Sequence, residues 1–240
     1  MFLKEVIILE NYLKRVAAIH DLSGLGRCSL SVILPTLSVM GIQVVPVPTA
    51  ILSSHTGGFG DVELRDLTEY ISPALSHYKK LGENFDCIYS GFLASKDQID
   101  HCLEFFSSFP KALKVVDTVM GDNGKPYRTC TPDLQKRMAE LVAVADIITP
   151  NVTEAKILLG EPLDVLPMTT TEAKSRLVRL AEKGPDIVVI TGVDMAEGKK
   201  CNIGYDKRNS SFWKVPFEYV NVNYPGTGDI FASVLVGAIL

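Results

Sequence analysis

The chain has 240 residues, 24 Lys+Arg against 28 Asp+Glu, a net charge of −4, 47% hydrophobic and 22% charged residues. That balance excludes a disordered chain, which lacks this much apolar content, and a broad nucleic-acid surface, which needs a basic excess. The five cysteines (Cys28, Cys87, Cys102, Cys130 and Cys201) form no C-x-x-C pair and are odd in number, which argues against a zinc site or a disulfide framework and for a reducing cytoplasm.

Val6–Leu9 is broken at once by Glu10, Asn11 and Lys14, too soon for a signal-peptide core. Arg15–Ile19 reads as the first strand. Leu30, Ile33, Leu34 and Leu37 then recur on one helical face, with Pro35 predicting a kink or a late start. Gln43–Val47 reads as a strand that Pro46 and Pro48 turn toward an edge or a small β flap. Asp61–His77 reads as a helix, Cys87–Ser90 as a strand, Lys96–Phe106 as a helix and Lys114–Asp117 as a strand. Leu134, Met138, Leu141 and Val142 form a helical stripe, followed by a strand at Ile147–Ile148 and a helix at Thr153–Leu159. Ala173, Leu177, Leu180 and Ala181 form another stripe, closed by Gly184-Pro185. Asp186–Thr191 is a strand, Cys201–Tyr205 and Phe212–Val215 a hairpin, and the chain is helical from Gly228. The late apolar run Ile230–Leu240 is too short to span a bilayer, so no membrane partner is expected.

This alternation predicts an α/β fold with a mainly parallel central sheet and helices on both faces. In such sheets ligands sit beyond the carboxyl ends of the strands. That places the loops starting at His20, Ser90, Asp117, Thr149 and Thr191 around one site.

Three segments there carry chemistry. Gly226-Thr227-Gly228-Asp229 opens a helix, and its free amides suit a phosphate. The charge of Asp229 repels a phosphate unless the carboxylate takes the proton of an attacking hydroxyl, although an acidic first turn is also common in ordinary helices. Asp117 and Asp122 flank a strand end, and Asn151 and Glu154 stand three apart. Hard oxygen donors of this kind suit Mg²⁺ held largely through water; the alternative for Asn151–Glu154 is a capping box. Two phosphate motifs fail. Gly192–Lys200 has the wrong spacing and context for a P-loop, and Gly24-Leu25-Gly26 is followed by Ser29 where a dinucleotide fingerprint needs glycine.

Taken in order, six segments resemble the pyridoxal kinases, in the vitamin-kinase branch of the ribokinase superfamily. They are Ile19–Gly24, Ser53–Thr56, Ser90–Leu93, Asp117–Asp122, Thr149–Glu154 and Gly226–Asp229. The last three mark the superfamily, and Ser53-Ser54-His55-Thr56 with Ser90-Gly91-Phe92 favour the pyridoxal branch. Thr118 departs from the usual proline, and Asp21 replaces a frequent serine, a feature shared with hydroxymethylpyrimidine kinases.

The resemblance implies one ribokinase-like domain over residues 15–240, preceded by an extension at 1–14 and incomplete at its C-terminal end, where relatives add helices around adenine. It implies ATP and Mg²⁺, a monovalent cation as a further candidate, a small vitamer as partner and a homodimer. On this reading Asp229 is the base and the amides of Gly226, Thr227 and Gly228 form the anion hole. Asp117 and Glu154 serve Mg²⁺, while Asp117, Asp122, Thr149, Asn151, Glu154 and Thr191 meet the nucleotide. Asp21, Cys28, His55, Thr56, Phe92 and Asp229 face the vitamer, with a helix-start packing role as the alternative for Cys28. The loop Asp122–Thr131 is a candidate lid. The expected reaction is phosphorylation of the 5′-hydroxymethyl group of pyridoxal, pyridoxine or pyridoxamine. The alternatives are a hydroxymethylpyrimidine kinase and a vitamer-binding protein without turnover.

Overall fold

In the computed structural model, residues 13–57, 59–220, 222 and 224–240 are described, so most of the expected extension at 1–14 lies outside them. The chain starts with strand β1 (Arg15–Leu25), helix α1 (Leu30–Val39), β2 (Gln43–Ser54), β3 (Leu64–Asp66) and α2 (Thr68–Leu81). It continues with β4 (Cys87–Ser90), α3 (Asp97–Ser108), β5 (Leu113–Val116), the short pair β6 (Gly121–Asp122) and β7 (Lys125–Pro126), and α4 (Pro132–Val144). Then come β8 (Ile147–Ile148), α5 (Val152–Leu159), α6 (Thr170–Ala181), β9 (Ile187–Asp194), β10 (Lys200–Asp206), β11 (Ser211–Phe217) and α7 (Thr227–Ile239).

Nine strands form one sheet in the order β11-β10-β9-β8-β5-β4-β1-β2-β3. The strands from β2 to β9 in that order are parallel, and β3, β10 and β11 add antiparallel edges. Side chains alternate across the sheet as a period of two requires. Val16 and Ala18 of β1, Cys87 and Tyr89 of β4 and Val115 of β5 pack with α1 and α7. Ala17, Ile19, Ile88 and Val116 point the other way, into a larger core shared with α2 to α6. The α/β expectation with helices on both faces therefore holds. Between β4 and β1 the strand order reverses, which opens a crevice at their carboxyl ends.

Two local expectations are corrected and two are made more specific. First, β1 and β2 run well past Ile19 and Val47. After the pair His20↔Pro48 the register slips, and Leu22 pairs with Ile51, so Thr49 and Ala50 both oppose Asp21 in a β-bulge. Beyond the bulge the two strands leave the central sheet as the flap. Pro46 and Pro48 lie where β3 does not cover β2, so their missing amides cost no ladder bond.

Second, the helix expected over Asp61–His77 starts only at Thr68. Leu64–Asp66 instead pairs with Ala50–Leu52, and Val62 and Leu64 pack on the flap cluster of Ala50, Leu52 and Phe92. The Asp66 carboxylate accepts the Thr68 amide (2.7 Å) and closes the turn into α2. Third, α1 begins at Leu30 with Pro35 inside it, so the helix does not start late. Fourth, the loop at Asp122–Thr131 contains the β6–β7 hairpin, turned by Asn123 (φ 50°) and Gly124 (φ 72°). Both residues sit in the left-handed region that a two-residue hairpin demands.

Candidate active site

Three carboxylates meet at the crevice from distant parts of the chain. Asp21 sits on the bulge of β1, Asp117 directly follows β5, and Asp229 lies in the first turn of α7. Asp21 and Asp117 are buried and Asp229 is partly exposed. Asp21 accepts the Ser23 hydroxyl (2.7 Å), Asp117 accepts the Thr149 hydroxyl (3.2 Å) and Asp229 accepts the Ser29 amide (2.9 Å). Desolvation and the nearby Asp229 charge push Asp117 up to about 7, against the Thr149 bond. Desolvation, with the Asp21 charge beside it, raises Asp229 to about 6, against the Ser29 amide. Burial also raises Asp21. Each shift has the same physical origin: anions gathered where water is scarce and too few donors face them.

The start of α7 is shaped by Gly226, at φ 80°, where a Cβ would lie 2.5 Å from the Arg27 carbonyl oxygen. Only glycine lets the two loops close against each other while keeping the left-handed turn. A Cβ at Gly228 would meet nothing within 4 Å, so this first turn is open. Thr227 is exposed beside it. The helix thus presents free amides and the positive end of its dipole to the crevice.

Cys28 lies in the same corner, within the field of Asp21 and Asp229. Burial first, and then those two charges, push its thiol up to about 11. The site therefore favours the neutral thiol.

At the other side of Asp117, Glu154 is buried and fully engaged. One oxygen accepts the Met120 amide (3.1 Å); the other accepts the Asn151 amide (2.9 Å) and, more loosely, the Thr118 hydroxyl (3.4 Å). The Asn151 side chain accepts the Glu154 amide (3.0 Å), which completes a capping box, and donates to the Gly121 carbonyl (2.8 Å). The pair therefore caps α5 and also holds the Asp117–Gly121 loop in place. Burial, and then the Asp117 charge, raise Glu154 well above the usual carboxylate range. The β6–β7 hairpin rests on the same helix through the Gly124 amide and the Thr153 hydroxyl (2.9 Å). Asp122 is exposed and caps its own turn through Asn123. Thr191 stands beside Asn151 in a parallel bridge, its amide donating to the Pro150 carbonyl (2.9 Å).

The flap residues are more dispersed. His55 packs edge-on against Phe59, accepts the Gly57 amide (3.0 Å) and leaves no room for a Cβ on Gly26. Thr56 is an exposed turn residue. Phe92 is only 9% exposed and packs beneath the flap with Ala50 and Leu52. The flap joins these residues to one side of the crevice, but no hydrogen bond among the described residues ties His55 or Thr56 to the acids.

Sequence reasoning missed Tyr127, whose phenol lies in the field of Glu154, Asp122, Asp117 and Asp229 and is raised by burial first and by those charges second. The Asn123-Gly124 dipeptide is the signal that could have placed it, because that turn folds the hairpin carrying Tyr127 back over the acids.

The donor set fits a hard cation. Among the described residues Asp21, Asp117, Glu154 and Asp229 have no Lys, Arg or His within salt-bridge distance, since every ion pair lies elsewhere. Nor do three metal-binding side chains converge on one point among the described residues. Separated carboxylates without a closed cage suit Mg²⁺, which keeps much of its water and shares phosphate oxygens.

A family model described as phosphomethylpyrimidine kinase matches residues 34–240. The fold is similar to a Bacteroides thetaiotaomicron protein assigned to the phosphomethylpyrimidine kinases and crystallised with pyridoxal. The TM-score is 0.90 at 42% identity, over 95% of this chain and 80% of that one. It is also similar to pyridoxal kinase from Lactobacillus plantarum, with a TM-score of 0.85, 30% identity and coverage of 95% and 80%. The thiamine biosynthetic bifunctional enzyme of Arabidopsis thaliana is 28% identical over 211 residues, which is 86% of this chain but only 38% of that enzyme.

Proposed function

The chain belongs to the phosphomethylpyrimidine kinase family, and from that premise we propose that it transfers the terminal phosphoryl group of ATP to a hydroxymethyl group on a pyridine-type vitamer: pyridoxal, pyridoxine or pyridoxamine. The observation that carries this reading is the placement of Asp229. Its carboxyl is raised to about 6 and lies in the first turn of a helix whose amides face an open crevice. A group with that affinity for protons is matched to taking one from an alcohol near neutral pH.

In the reaction the vitamer's hydroxymethyl oxygen bonds to the γ-phosphorus and the bond from that phosphorus to the β,γ-bridging oxygen breaks. The hydroxyl proton passes to an Asp229 oxygen. The amides of Gly226, Thr227 and Gly228 face the charge that spreads over the transferring group. Asp21, with Cys28, the flap residues His55 and Thr56, and Phe92 beneath the flap, bounds the vitamer side. Asp117, Asn151, Glu154 and Thr191 bound the nucleotide side, with Thr149 orienting Asp117. Asp117, with Glu154 behind it, would hold Mg²⁺, which would supply positive charge against the phosphate oxygens. The β6–β7 hairpin with Tyr127 covers this side and keeps water from the phosphoryl group.

A second reading, phosphorylation of hydroxymethylpyrimidine, is favoured by the description of the matching family model and by Asp21 at the end of β1. One assay separates the two. The protein is incubated with ATP, Mg²⁺ and each of pyridoxal, pyridoxine, pyridoxamine and hydroxymethylpyrimidine, and products are separated chromatographically. The B6 reading requires a phosphate ester with at least one pyridine vitamer at higher kcat/KM than with the pyrimidine. The reverse order selects the second reading, and no ester with any of the four rejects both.

A further inference from the structure

Directly behind Asp21 is a buried histidine that the chemistry above does not use. His20 is the last β1 residue before the bulge and has no exposed surface. Neither of its ring nitrogens has a hydrogen-bond partner among the described residues. Leaving a buried polar group unpaired is costly, and such groups concentrate where function sets the structure.

Two residues press on the imidazole. Tyr89 of β4 meets it edge-on with ring centroids 4.4 Å apart. Gly91 also comes so close that a Cβ there would run into the ring. The Gly91 amide also donates to the Ile19 carbonyl (3.1 Å). The glycine of the Ser90-Gly91-Phe92 segment is thus explained by His20: no side chain fits between β4's exit and the imidazole.

The far side of the same bulge is braced independently. Gln98 is fully buried; its amide group donates to the Thr49 carbonyl (2.9 Å), and its oxygen accepts the Ala94 amide (2.8 Å). The Thr49 hydroxyl donates to the Phe92 carbonyl (2.9 Å). Both strands of the bulge are therefore clamped, β2 by Gln98 and β1 by His20. The β1 clamp lies one residue from Asp21.

We propose that His20 is a positioning residue: a flat wedge against Tyr89 and Gly91 that sets the bulge of β1, and through it the direction of Asp21 and of the flap toward the vitamer. This rests on the vitamer-kinase reading, because it gives Asp21 a substrate to meet. It assigns His20 no contact with the substrate and no proton transfer. Removing the wedge lets β1 relax at the hinge, which disturbs the vitamer side. The nucleotide side, built on β5, α5 and α7, is left in place.

The test uses the full chain and four variants: His20→Ala, His20→Gln, Gly91→Ala and the His20→Ala/Gly91→Ala double variant. Each is measured for KM of the best vitamer, KM of ATP, kcat and melting temperature. His20→Ala is expected to raise the vitamer KM about tenfold or more with the ATP KM within about twofold, since small misplacements are costly at a reacting centre. His20→Gln, which offers a flat amide of similar length, is expected to restore most of the loss. Gly91→Ala, which presses on the ring, is expected to imitate His20→Ala. The double variant is expected to be no worse than Gly91→Ala alone, because residues in contact give non-additive effects. If His20→Ala does not fold, Gly91→Ala and His20→Gln carry the comparison. Equal rises in both KM values, or strictly additive effects of the two alanines, overturn the role. A parent protein that phosphorylates and binds no vitamer rejects the functional reading and takes this role with it. A parent that turns vitamers over while every variant keeps its vitamer KM overturns the role of His20 alone.

Discussion

Asp229 is held between opposing influences. The Ser29 amide, 2.9 Å away, favours its charged form, while burial and the charge of Asp21 disfavour it. The net result, about 6, fixes the sign of the pH response. A general base works only when deprotonated, so kcat/KM for the vitamer should rise through pH 6 and level off above it. Asp229→Asn should remove that limb and cut kcat by roughly 10²–10⁴-fold while leaving vitamer binding near the parent value. Steady-state rates from pH 5 to 8, with binding by equilibrium dialysis, check both; a variant with near-parent turnover refutes the assignment. The chemical type of this residue was legible in the sequence, because an acid in the first turn of a glycine-opened helix is a local pattern. Its neighbours were expected around the same site from the strand-end rule and the resemblance, but how close they come was not. Asp21 and Asp117 reach it only because β1 and β5 end beside the same crevice, and nothing in their flanking residues records that distance. The individual roles of Tyr127 and His20 were hidden for the same reason: one depends on a hairpin fold-back and the other on the edge of Tyr89 across the sheet.

At the scale of elements, α5 shows why a short helix can carry two roles without conflict. Its capping box and the hold on the Asp117–Gly121 loop are made by the same two side chains, since Glu154 accepts the Met120 amide as well as the Asn151 amide. Glu154→Ala should therefore do two things at once. Losing the cap and the loop anchor should lower stability by about 1–3 kcal/mol, through an unpaired buried amide and a weakened helix start. Freeing the loop that carries Asp117 should also raise the Mg²⁺ concentration needed for half-maximal rate. A melting curve and a Mg²⁺ titration on one sample check the pair, and a variant that only melts earlier with an unchanged Mg²⁺ requirement leaves Glu154 as a cap alone. Elements of this kind were well marked in the sequence. The central strands β4, β5 and β8 are apolar runs between polar loops, and α4 and α6 show clear stripes. The flap was not marked, because its strands alternate irregularly and draw their stability from one another. Leu64–Asp66 was drawn into a predicted helix because its strand partner lies in β2, beyond the reach of any local periodicity.

Over the whole molecule the parallel order of strands brings four carboxyls, the buried Asp21, Asp117 and Glu154 and the partly exposed Asp229, to one end of the sheet with no cationic side chain of the described residues among them. All four are raised in the folded state, with Asp117 at about 7 and Asp229 at about 6. The sign of the consequence follows directly. A carboxyl whose folded pKa lies above its unfolded value binds more protons folded than unfolded. Its stabilising contribution is complete below the unfolded value and is lost as pH rises through the folded one. The free protein should therefore become less stable between about pH 4 and pH 7, where most proteins gain or hold stability. Below that window the trend reverses, because Asp86, Asp100 and Glu161 are lowered by hydrogen bonds to cations and lose those bonds on protonation. Asp117→Asn removes one charge of the cluster and should raise the melting temperature at pH 8, by about 2–4 °C per kcal/mol at this chain length, with little change at pH 5. Mg²⁺ with nucleotide should stabilise the parent protein more at pH 8 than at pH 5, because it binds the ionised carboxyls. Melting curves at pH 5, 6, 7 and 8, with and without Mg²⁺ and nucleotide, test this. A parent protein whose stability climbs steadily from pH 5 to 8, or an Asp117→Asn variant that is less stable at pH 8, would show that the acids at the crevice are not held in a strained, charge-repelled state, and the electrostatic basis for a cation there would fall.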